Sequence, residues 1–303
     1  MKKFGEYTIL GIDHGYGYIK SANTIIKSGI EEVPIRPPFD EDILEYNRRT
    51  YVVGQVRSEQ LADKTLTEDY YHLTLAAMAK ELKHNQIKSA KNVMLSVGLP
   101  YSFFSAQKES FRDYLLKKKN LNFAFEGIKY QIELKDVFVY PQGLPVMATE
   151  MGKYKDKTVS VADIGSRTID VITYRRGKPF YDLCFSIDKK GTLDWIDSIT
   201  KYYLTKYQEV VDEEDIQCIF QKQKVSLEEK KVQFIKDIIK HHVQEVMKLL
   251  NAKIDSGNLI LCGGGATVVK NYYNNRQKQM TIINDIFCNA NGYEVLTYNR
   301  LKK

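Results

Sequence analysis

Apolar residues recur with two different periods along the chain. Residues 7–13 and 18–26 alternate between apolar and polar positions, which predicts two paired strands. Residues 92–100, "NVMLSVGLP", form a mostly apolar run that predicts a buried strand. Ser226 and Glu229 have the spacing of a capping box at the start of a long helix. The apolar positions of that helix recur at steps of three or four; they are Val232, Ile235, Ile239, Val243, Val246 and Leu250.

Further helices and strands alternate along the rest of the chain. Residues 29–66 are mostly polar and predict irregular structure with short strand-like pieces such as "TYVVGQ". Residues 136–151 predict a strand that breaks at Pro141 and passes into a helix. We expect other helices at 67–85 with Thr67 as N-cap, 105–119, 193–207, 212–222 and 266–278, and other strands at 121–126, 129–134, within 157–179, and from 259. Strands that alternate with helices are typical of an α/β protein.

The two halves of the chain open in the same way. A strand, an aspartate, a glycine turn and a second strand occur near residue 13 and again near residue 163. At an offset of 150 positions, Lys20 falls on Asp170, and the identical pairs are Asp13 with Asp163, Gly15 with Gly165, and Ile19 with Ile169. This similarity predicts an internal duplication, with one domain at 1–152 and a second at 153–303.

Composition narrows the class of protein. The chain has 303 residues, 43% hydrophobic and 27% charged, which is typical of a globular protein large enough for two domains. It lacks an apolar run of about eighteen residues, and "MKKFGEY" at its start lacks the apolar core of a secretory signal, so we expect a cytosolic chain. The net charge of +7 is scattered, which does not support direct DNA binding. The four cysteines lack the short spacing of a metal site and are predicted to be reduced thiols.

The two glycine turns are suited to a bound phosphate chain. In "DHGYGY", Gly15 and Gly17 let the backbone approach a ligand, and Lys20 offers a positive charge to a phosphate oxygen. In "DIGSRTID", Gly165 has the same role, while the side chains of Ser166 and Thr168 offer hydroxyl groups. The turns are therefore candidate phosphate-binding elements.

Asp13 and Asp163 are expected at the ends of their strands, facing each other across a cleft between the halves. Two carboxylates in that arrangement suit Mg²⁺, which prefers oxygen ligands, keeps several waters and is shared with substrate phosphates. A plain hairpin is the alternative for either turn alone, because aspartate and glycine also favour turns for conformational reasons.

A third glycine-rich element favours the nucleotide interpretation over two plain hairpins. In "LILCGGGATVVKN", 259–271, a strand leads through Gly263, Gly264 and Gly265 to the start of a helix, where the backbone can lie flat against a ligand. The Walker A pattern and the G-x-G-x-x-G pattern are both missing from the sequence, which counts against a P-loop and a dinucleotide-binding fold.

Taken in order, these motifs resemble those of the actin-type ATPase superfamily. The segment around Asp13 corresponds to its phosphate-1 segment, "YPQGLPVMA" to connect-1, the segment around Asp163 to phosphate-2, and the triple glycine to the adenosine segment. Residues 97–115, "VGLPYSFFSAQKESFRDYL", are similar to a passage in ParM-type plasmid-segregation actins. The resemblance implies an α/β actin-like fold of two duplicated ribonuclease-H-like domains around a central nucleotide cleft. Small inserted subdomains are implied at about 29–90 and 208–256.

The resemblance also implies roles for individual residues. Asp13 and Asp163 would be the carboxylates near Mg²⁺, and Lys20 would lie near the β- and γ-phosphates. Gln142 matches the position that orients the attacking water, and since a neutral glutamine is a poor general base, hydrolysis would rest on alignment and electrostatics. A solvent-facing residue ahead of a helix is the alternative for Gln142. The remaining nucleotide-binding residues would be Gly15, Tyr16, Gly17, Gly165, Ser166, Arg167, Thr168, Gly263, Gly264 and Gly265.

Three features depart from the superfamily pattern or stand outside it. Tyr16 occupies a position where relatives usually have a small hydroxyl residue beside the phosphates. The C-terminal "YEVLTYNRLKK" shows no evident closing helix, so the second connecting segment is expected to be shortened. His241 and His242 are adjacent on a predicted helix, where neighbours point about 100° apart, so we expect surface and rim positions rather than a metal site.

The resemblance implies a filament-forming ATPase that polymerises with Mg-ATP, or with GTP, and moves cargo. Its partners would be further copies of itself, assembled head to tail, and an adaptor protein bound to plasmid DNA, without direct contact to nucleic acid or membrane, in the bacterial cytoplasm. A small-molecule kinase of the same superfamily, such as a sugar kinase, is the alternative, with Asp170 as the candidate catalytic aspartate. A DnaK-type chaperone is not expected because 38 residues follow Gly265, and a membrane-bound cell-shape protein would need an anchor longer than "MKKFGEY".

Overall fold

The computed structural model describes residues 1–58, 61, 63–254, 257–274 and 279–302. The chain forms two compact units, one made of Met1–Glu150 with Phe287–Lys303 and the other of Met151–Ile286. The last segment of the chain therefore belongs to the first unit, and the units are not two consecutive halves. The small inserted subdomains at about 29–90 and 208–256 remain predictions.

Strands and helices are interspersed along the chain, as expected of an α/β protein. The strands are β1 (Lys2–Phe4), β2 (Tyr7–His14), β3 (Tyr18–Lys20), β4 (Ile25–Lys27), β5 (Ile30–Val33), β6 (Ile43–Tyr46), β7 (Arg49–Val53), β8 (Ser89–Leu99), β9 (Asn120–Phe125), β10 (Ile128–Pro141), β11 (Thr158–Ile164), β12 (Thr168–Arg175), β13 (Lys178–Pro179), β14 (Phe185–Asp188), β15 (Asn258–Cys262) and β16 (Gln279–Ile282). The helices are α1 (Asp69–His84), α2 (Tyr101–Leu116), α3 (Leu144–Tyr154), α4 (Thr192–Tyr207), α5 (Glu213–Phe220), α6 (Glu229–Lys253), α7 (Gly264–Tyr272) and α8 (Cys288–Leu301).

The first unit is built on one mixed sheet with the strand order β4-β3-β2-β8-β10-β9-β6-β7-β5, and β1 pairs with β2. Its three central strands, β2, β8 and β10, run parallel to one another. Their carboxyl ends consequently lie at the same edge of the sheet. The first glycine turn follows β2 at this edge, and Gln142 follows β10 directly.

Helices α1 and α2 supply the core that covers this sheet. Leu73 and Leu82 on α1 and Phe111 and Leu115 on α2 are buried in one apolar cluster with strand residues such as Leu95. Burying an aliphatic or aromatic side chain of this size contributes about 1.5–3 kcal/mol to stability. The cluster therefore fixes the helices on the sheet whose edge carries the turn.

The region 29–66, predicted to be mostly irregular, contains three antiparallel strands. β5 pairs with β7, and β7 pairs with β6. Asn47 and Arg48 both have positive φ, 50° and 64°, and form the two-residue turn between β6 and β7. Such a turn matches the twist of the strands it joins. Short strands with mixed polarity leave a weak periodic signal, which is why the sequence pattern suggested only isolated pieces.

Helix α8 corrects the expectation that the C-terminus has no closing helix. It packs against the first unit's sheet where two glycines allow a close approach: a Cβ on Gly11 would lie 2.0 Å from the carbonyl oxygen of Ala290, and one on Gly98 would lie 1.7 Å from the Tyr293 hydroxyl. The backbone N–H of Gly11 donates to Glu294 at 3.1 Å, and burial raises the pKa of Glu294. Because α8 is buried on more than one side, its sequence lacks a clean apolar stripe.

The second unit has a sheet in the order β13-β12-β11-β15-β16, with β14 paired to β12. β11, β15 and β16 are parallel, and β12 returns antiparallel to β11 after the second glycine turn. One face of the sheet packs on α4, α6 and α7. The predicted stripe of α6 lies in this core, with Ile235, Ile239, Val243, Val246 and Leu250 buried, and Val232 partly buried at its margin.

Two predicted helix caps are wrong. The chain enters α6 at Glu228, whose ψ of 141° is extended, so Ser226 lies two residues too early to cap the helix. Helix α1 begins at Asp69, and Thr67 accepts only a long hydrogen bond of 3.4 Å from the Asp69 N–H. Within the described residues, we find no helix with the length and apolar character needed to cross a bilayer.

Candidate functional site

The first glycine turn carries a buried carboxylate that contacts the residue following β10. Asp13 is 6% exposed, and its Oδ1 accepts a hydrogen bond of 3.0 Å from Nε2 of Gln142, itself 9% exposed. The parallel arrangement of β2, β8 and β10 explains this contact between residues 129 positions apart. Asp13 is also the register partner of Lys20 on β3. Gln142 is thus not a solvent-facing residue, and the first unit brings Asp13, Lys20 and Gln142 to one place.

The carbonyl groups of this turn accept hydrogen bonds from donors well outside it. Ser28 Oγ donates to Gly15 O at 2.7 Å, and Arg57 Nη1 donates to Gly17 O at 2.7 Å. The ammonium of Lys64, a 2%-exposed residue, donates to His14 O. Arg57 and Lys64 were not identified from the sequence, because nothing in their local pattern links them to a turn 40 to 50 positions earlier.

The side chains of Tyr16 and His14 also lie at the turn. Tyr16, which departs from the superfamily pattern, is half-buried, with its ring centroid 4.7 Å from the Lys64 Nζ. His14 is fully buried, and burial together with the nearby Lys64 charge lowers its pKa to about 3. The neutral His14 ring donates from Nε2 to Thr74, 2.8 Å away, since the Thr74 hydroxyl itself donates to the Tyr70 carbonyl.

The second unit repeats the arrangement of strand, aspartate, glycine turn and strand. Asp163 on β11 is 5% exposed and is the register partner of Asp170, the position that Lys20 occupies in the first unit. The turn is closed by a hydrogen bond of 2.9 Å from Gly165 N to Thr168 O. Asp170 is 1% exposed and accepts hydrogen bonds from Thr168 and Ser186, at 3.1 and 2.5 Å.

The triple glycine lies directly against Asp163. β15 runs parallel to β11, with Cys262 opposite Asp163, so the chain leaves β15 beside that carboxylate. A Cβ on Gly263 would lie 2.3 Å from Asp163 Oδ1, and one on Gly265 would lie 2.2 Å from Ile164 Cγ2. Gly263 also has φ 82° and ψ 178°, a conformation essentially restricted to glycine. Helix α7 begins at Gly264, two residues earlier than predicted, so its N-terminal N–H groups lie at the triple glycine.

The first residues of helix α4 contact the second turn. Leu193 N donates to Ser166 O at 2.8 Å, and Arg167 forms ion pairs with Asp194 and Asp197 at 2.8 and 2.5 Å. Burial raises the pKa of Asp194, and the hydrogen bond from Arg167 opposes that shift. The Arg167 side chain is thus directed to α4, and contact of Ser166, Arg167 and Thr168 with a nucleotide stays a prediction.

The structure therefore brings the predicted residues together in two groups, one in each unit. Asp13, Gly15, Tyr16, Gly17, Lys20 and Gln142 form the first group, and Asp163, Gly165, Ser166, Arg167, Thr168, Gly263, Gly264 and Gly265 form the second. A meeting of Asp13 with Asp163 across a cleft remains a prediction.

Each of the two carboxylates, taken within its own unit, fits a magnesium ion whose other ligands come from a nucleotide and water. Both are buried oxygen donors at strand ends. The described residues contain no cluster of three or more His, Cys, Asp or Glu that could hold a metal ion by themselves. A cation at Asp13 or Asp163 would therefore need phosphate oxygens and water as further ligands, which is how Mg²⁺ is commonly bound.

The remaining candidate reactive residues are the two adjacent histidines and the four cysteines. His241 is exposed, whereas His242 is partly buried and stacks on Trp195, with ring centroids 6.2 Å apart and an interplanar angle of 8°. The four cysteines are free thiols, as expected; Cys262 and Cys288 are buried, and Cys184 and Cys218 are partly so.

Comparison with protein families gives two matches that together span most of the chain. Residues 11–144 match the N-terminal domain of actin-like proteins, and residues 161–274 match the C-terminal domain of the archaeal actin homologue MreB-like family. The first match contains the Asp13 turn and Gln142, and the second contains the Asp163 turn and the triple glycine. Among curated protein sequences, none matches the chain.

Solved structures show the same fold over nearly the whole chain at low sequence identity. A 15-stranded ParM filament from Clostridium botulinum superposes with a TM-score of 0.77 at 17% identity, covering 96% of this chain and 99% of that one. The archaeal actin homologue Ta0583 in complex with ADP gives 0.75 at 20%, covering 96% and 99%. Bacillus thuringiensis ParM with ATP gives 0.72 at 16%, covering 98% and 100%. These likenesses confirm the expected two-domain actin-like α/β fold.

The order of elements, the two family matches and the fold agree with the resemblance inferred from the motifs. The chain therefore belongs to the actin-like proteins, with an actin-like N-terminal part and an archaeal MreB-like C-terminal part.

Proposed function

We propose that this chain is a filament-forming actin-like ATPase that polymerises with Mg-ATP, or with GTP, and moves cargo, most simply plasmid DNA held by an adaptor protein. Structures of the same fold include ParM filaments and complexes with ADP and ATP, which supports both nucleotide binding and self-assembly. The assembly would be head to tail, because a contact between two different surfaces of one molecule generates an open helical array.

One observation carries the proposal. Each unit ends a buried strand with a buried aspartate, turns at a glycine and returns on a second strand, and each aspartate contacts a further element of the site. In the first unit that element is Gln142, and in the second it is Gly263. A single such hairpin is common, but a duplicated one with a further element against each aspartate suits a ligand held by both units.

The residues present suggest how hydrolysis is assisted. A bound Mg²⁺ would neutralise phosphate charge, with Asp13 and Asp163 as the carboxylates that hold it and its waters. Lys20 would add positive charge near the terminal phosphates, and backbone N–H groups at Gly15 and the start of α7 would bind phosphate oxygens. The N–H of Gly165 already donates to Thr168 O, so Gly165 would instead allow the backbone to approach the ligand closely. The carboxamide of Gln142, oriented by Asp13, would position the attacking water without accepting its proton.

Asp170 argues against the sugar-kinase alternative. A catalytic aspartate must reach the hydroxyl of a substrate to accept its proton. Asp170 is 1% exposed, and both of its carboxylate oxygens accept hydrogen bonds from neighbouring hydroxyl groups. It is therefore better suited to support β12 and the second turn than to contact a sugar.

Sedimentation with and without Mg-ATP tests the proposal. We expect the chain to pellet as polymer and release phosphate only when nucleotide is present. Asp13→Asn and Asp163→Asn are expected to lower phosphate release by at least about 10-fold, while Asp113→Asn, at a 74%-exposed carboxylate, serves as the matched control. A chain that stays in the supernatant with ATP and GTP, yet phosphorylates a sugar, would reject the filament function in favour of the kinase.

The adaptor part of the proposal needs its own experiment. The chain alone is expected to leave a plasmid DNA fragment unshifted in a gel, with or without Mg-ATP. A shift produced by the purified chain, which has a net charge of +7, would contradict indirect attachment through an adaptor.

A further inference from the structure

We propose that Arg57 and Lys64 are positioning residues for the first glycine turn, and that they couple nucleotide binding to the crossing segment, residues 54–58. This inference rests on the proposed function, because it assumes that the turn binds the phosphates of a nucleotide. Neither residue belongs to the motifs that define the superfamily resemblance. Their role follows from what their cationic groups contact.

Lys64 is a buried cation that contacts the turn through a carbonyl group and an aromatic ring. It is 2% exposed, its Nζ donates to His14 O, and the same nitrogen lies 4.7 Å from the Tyr16 ring centroid and 5.1 Å from that of Tyr70. Burying an ammonium group is costly unless polar or aromatic partners compensate for the lost water. Here a carbonyl group and two aromatic faces do so, and Tyr16, the unusual residue of the turn, is one of them.

Arg57 holds the other side of the turn. Its Nη1 donates to Gly17 O at 2.7 Å, and its Cζ lies 5.3 Å from the Tyr18 ring centroid. Ser28 contributes two more hydrogen bonds, from its N–H to Gly17 O at 3.0 Å and from its hydroxyl to Gly15 O at 2.7 Å. Three carbonyl groups of the turn are therefore bound by donors on later parts of the chain.

Fixing these carbonyl groups also fixes the N–H groups that follow them. In a planar trans peptide, the C=O of one residue and the N–H of the next point in opposite directions, and the described chain contains no cis peptide bond. The bonds to His14 O, Gly15 O and Gly17 O consequently direct the N–H groups of Gly15, Tyr16 and Tyr18 away from the donors. The turn is thus pre-shaped before a phosphate arrives, which lowers the cost of binding.

The crossing segment is itself anchored to Ser28 and Gly29, which link β4 to β5. Gly54 N donates to Gly29 O at 2.7 Å, and Ser58 N donates to Ser28 O at 3.1 Å. A Cβ on Gly29 would lie 1.4 Å from Val56 O. The segment therefore passes so close to position 29 that only glycine fits there. A change in the turn therefore reaches residues 54–58 through direct contacts. By thermodynamic linkage, a ligand that binds more tightly to the turn in this conformation must also stabilise the contacts between the turn and the crossing segment.

Nucleotide affinity and hydrogen exchange test this coupling together. We expect Lys64→Met and Arg57→Met to weaken ADP binding by about 10-fold, within the range usual for coupled sites, with Arg57→Lys recovering part of the loss. Lys108→Met and Arg49→Met, at side chains 46% and 63% exposed, are matched controls that should bind ADP like the wild type. In the wild type, ADP should slow amide exchange in residues 54–58, and Lys64→Met should reduce that slowing.

The outcomes separate this inference from the proposed function. Wild-type protein that binds neither ADP nor ATP would overturn the proposed function and the coupling with it. Wild-type binding with affinities of Lys64→Met and Arg57→Met within about 2-fold of the wild type would overturn the coupling alone. If either variant fails to fold, the exchange measurement on the wild type decides, because ADP binding that leaves residues 54–58 unchanged also overturns the coupling.

Discussion

Gln142 donates a hydrogen bond from Nε2 to Oδ1 of Asp13 across 3.0 Å, although the two residues are 129 positions apart in the sequence. Both side chains are almost fully buried, at 9% and 6% exposure. A carboxylate can only accept hydrogen bonds, so the amide nitrogen faces Asp13 and the amide oxygen is turned away from it. That oxygen is available to accept a hydrogen bond from a water molecule.

The first prediction concerns this contact. Gln142→Ala removes the group that we propose positions the attacking water, so phosphate release at saturating ATP is expected to fall about 100-fold, the usual cost of misplacing a reactant. ATP affinity should change little, because the proposed phosphate contacts lie on other residues. Single-turnover hydrolysis and equilibrium binding measure the two effects separately. Equal losses in affinity and rate would contradict a role confined to positioning water.

Adjacent glycines in the triple glycine are predicted to respond differently to the same substitution. Gly263→Ala places a methyl group 2.3 Å from Asp163 Oδ1 and forces alanine to φ 82°, so we expect a loss of about 1–3 kcal/mol in the free energy of unfolding and a displaced Asp163. Gly264→Ala meets no atom within 4 Å and begins a helix.

Chemical denaturation and nucleotide binding check this pair. Gly264→Ala should keep the stability of the wild type, or gain slightly because alanine favours helix. The interpretation of Gly263 is wrong if both variants unfold at the same denaturant concentration and bind ADP equally well.

His242 is predicted to make stability depend on pH. It stacks on Trp195, and burial lowers its pKa; His241 and Lys190 lower it further, while Glu245 opposes the shift. The unfolded state therefore takes up a proton at a higher pH than the folded state. As the pH falls below about 6.5, protonation favours the unfolded chain, so the free energy of unfolding decreases.

Replacing this histidine should flatten that dependence. Between pH 7.5 and pH 5, the free energy of unfolding of the wild type is expected to decrease more than that of His242→Gln, by up to about 1 kcal/mol. The exposed neighbour provides the control, since His241→Gln should follow the wild type. Urea unfolding monitored by circular dichroism measures both, and parallel curves for His242→Gln and the wild type would show that another group is responsible.

The tip of the first unit, residues 31–45, exposes large apolar side chains and is predicted to contribute to self-assembly. Ile35 and Phe39 are 81% and 78% exposed, and between them Arg36 pairs with Asp40 and, at 2.9 Å, with Glu45. Residues 31–45 contain six carboxylates and one arginine in a chain of net charge +7, so the tip is complementary to the basic remainder of a second copy.

The double substitution Ile35→Asp with Phe39→Asp tests this tip. The protein concentration needed for polymer with Mg-ATP should rise at least about 10-fold, because burying two large apolar side chains contributes several kcal/mol. Tyr181→Asp, at a 71%-exposed side chain of the second unit, is the comparison. A double variant that pellets like the wild type would remove the tip from the interface.

Local pattern was sufficient where a feature depends on neighbouring residues. The stripe of α6 predicted its buried face because five of its six positions lie in the core. The strand–aspartate–glycine–strand units were found because a hairpin is a contiguous motif. The closing helix α8 was missed because it contacts the sheet through Gly11 and Gly98, and no regular apolar period is required of a helix that is buried on several sides.

The sequence by itself determined the α/β class, the duplicated turns and their order with the triple glycine, because strand and helix periods and glycine conformations are local properties of the chain. Only the tertiary structure decided that Gln142 contacts Asp13, that Gly263 lies against Asp163, and that Arg57 and Lys64 hold the first turn. These contacts join residues 40 to 129 positions apart. They depend on which strands run parallel and where loops cross them, and no local period encodes that arrangement.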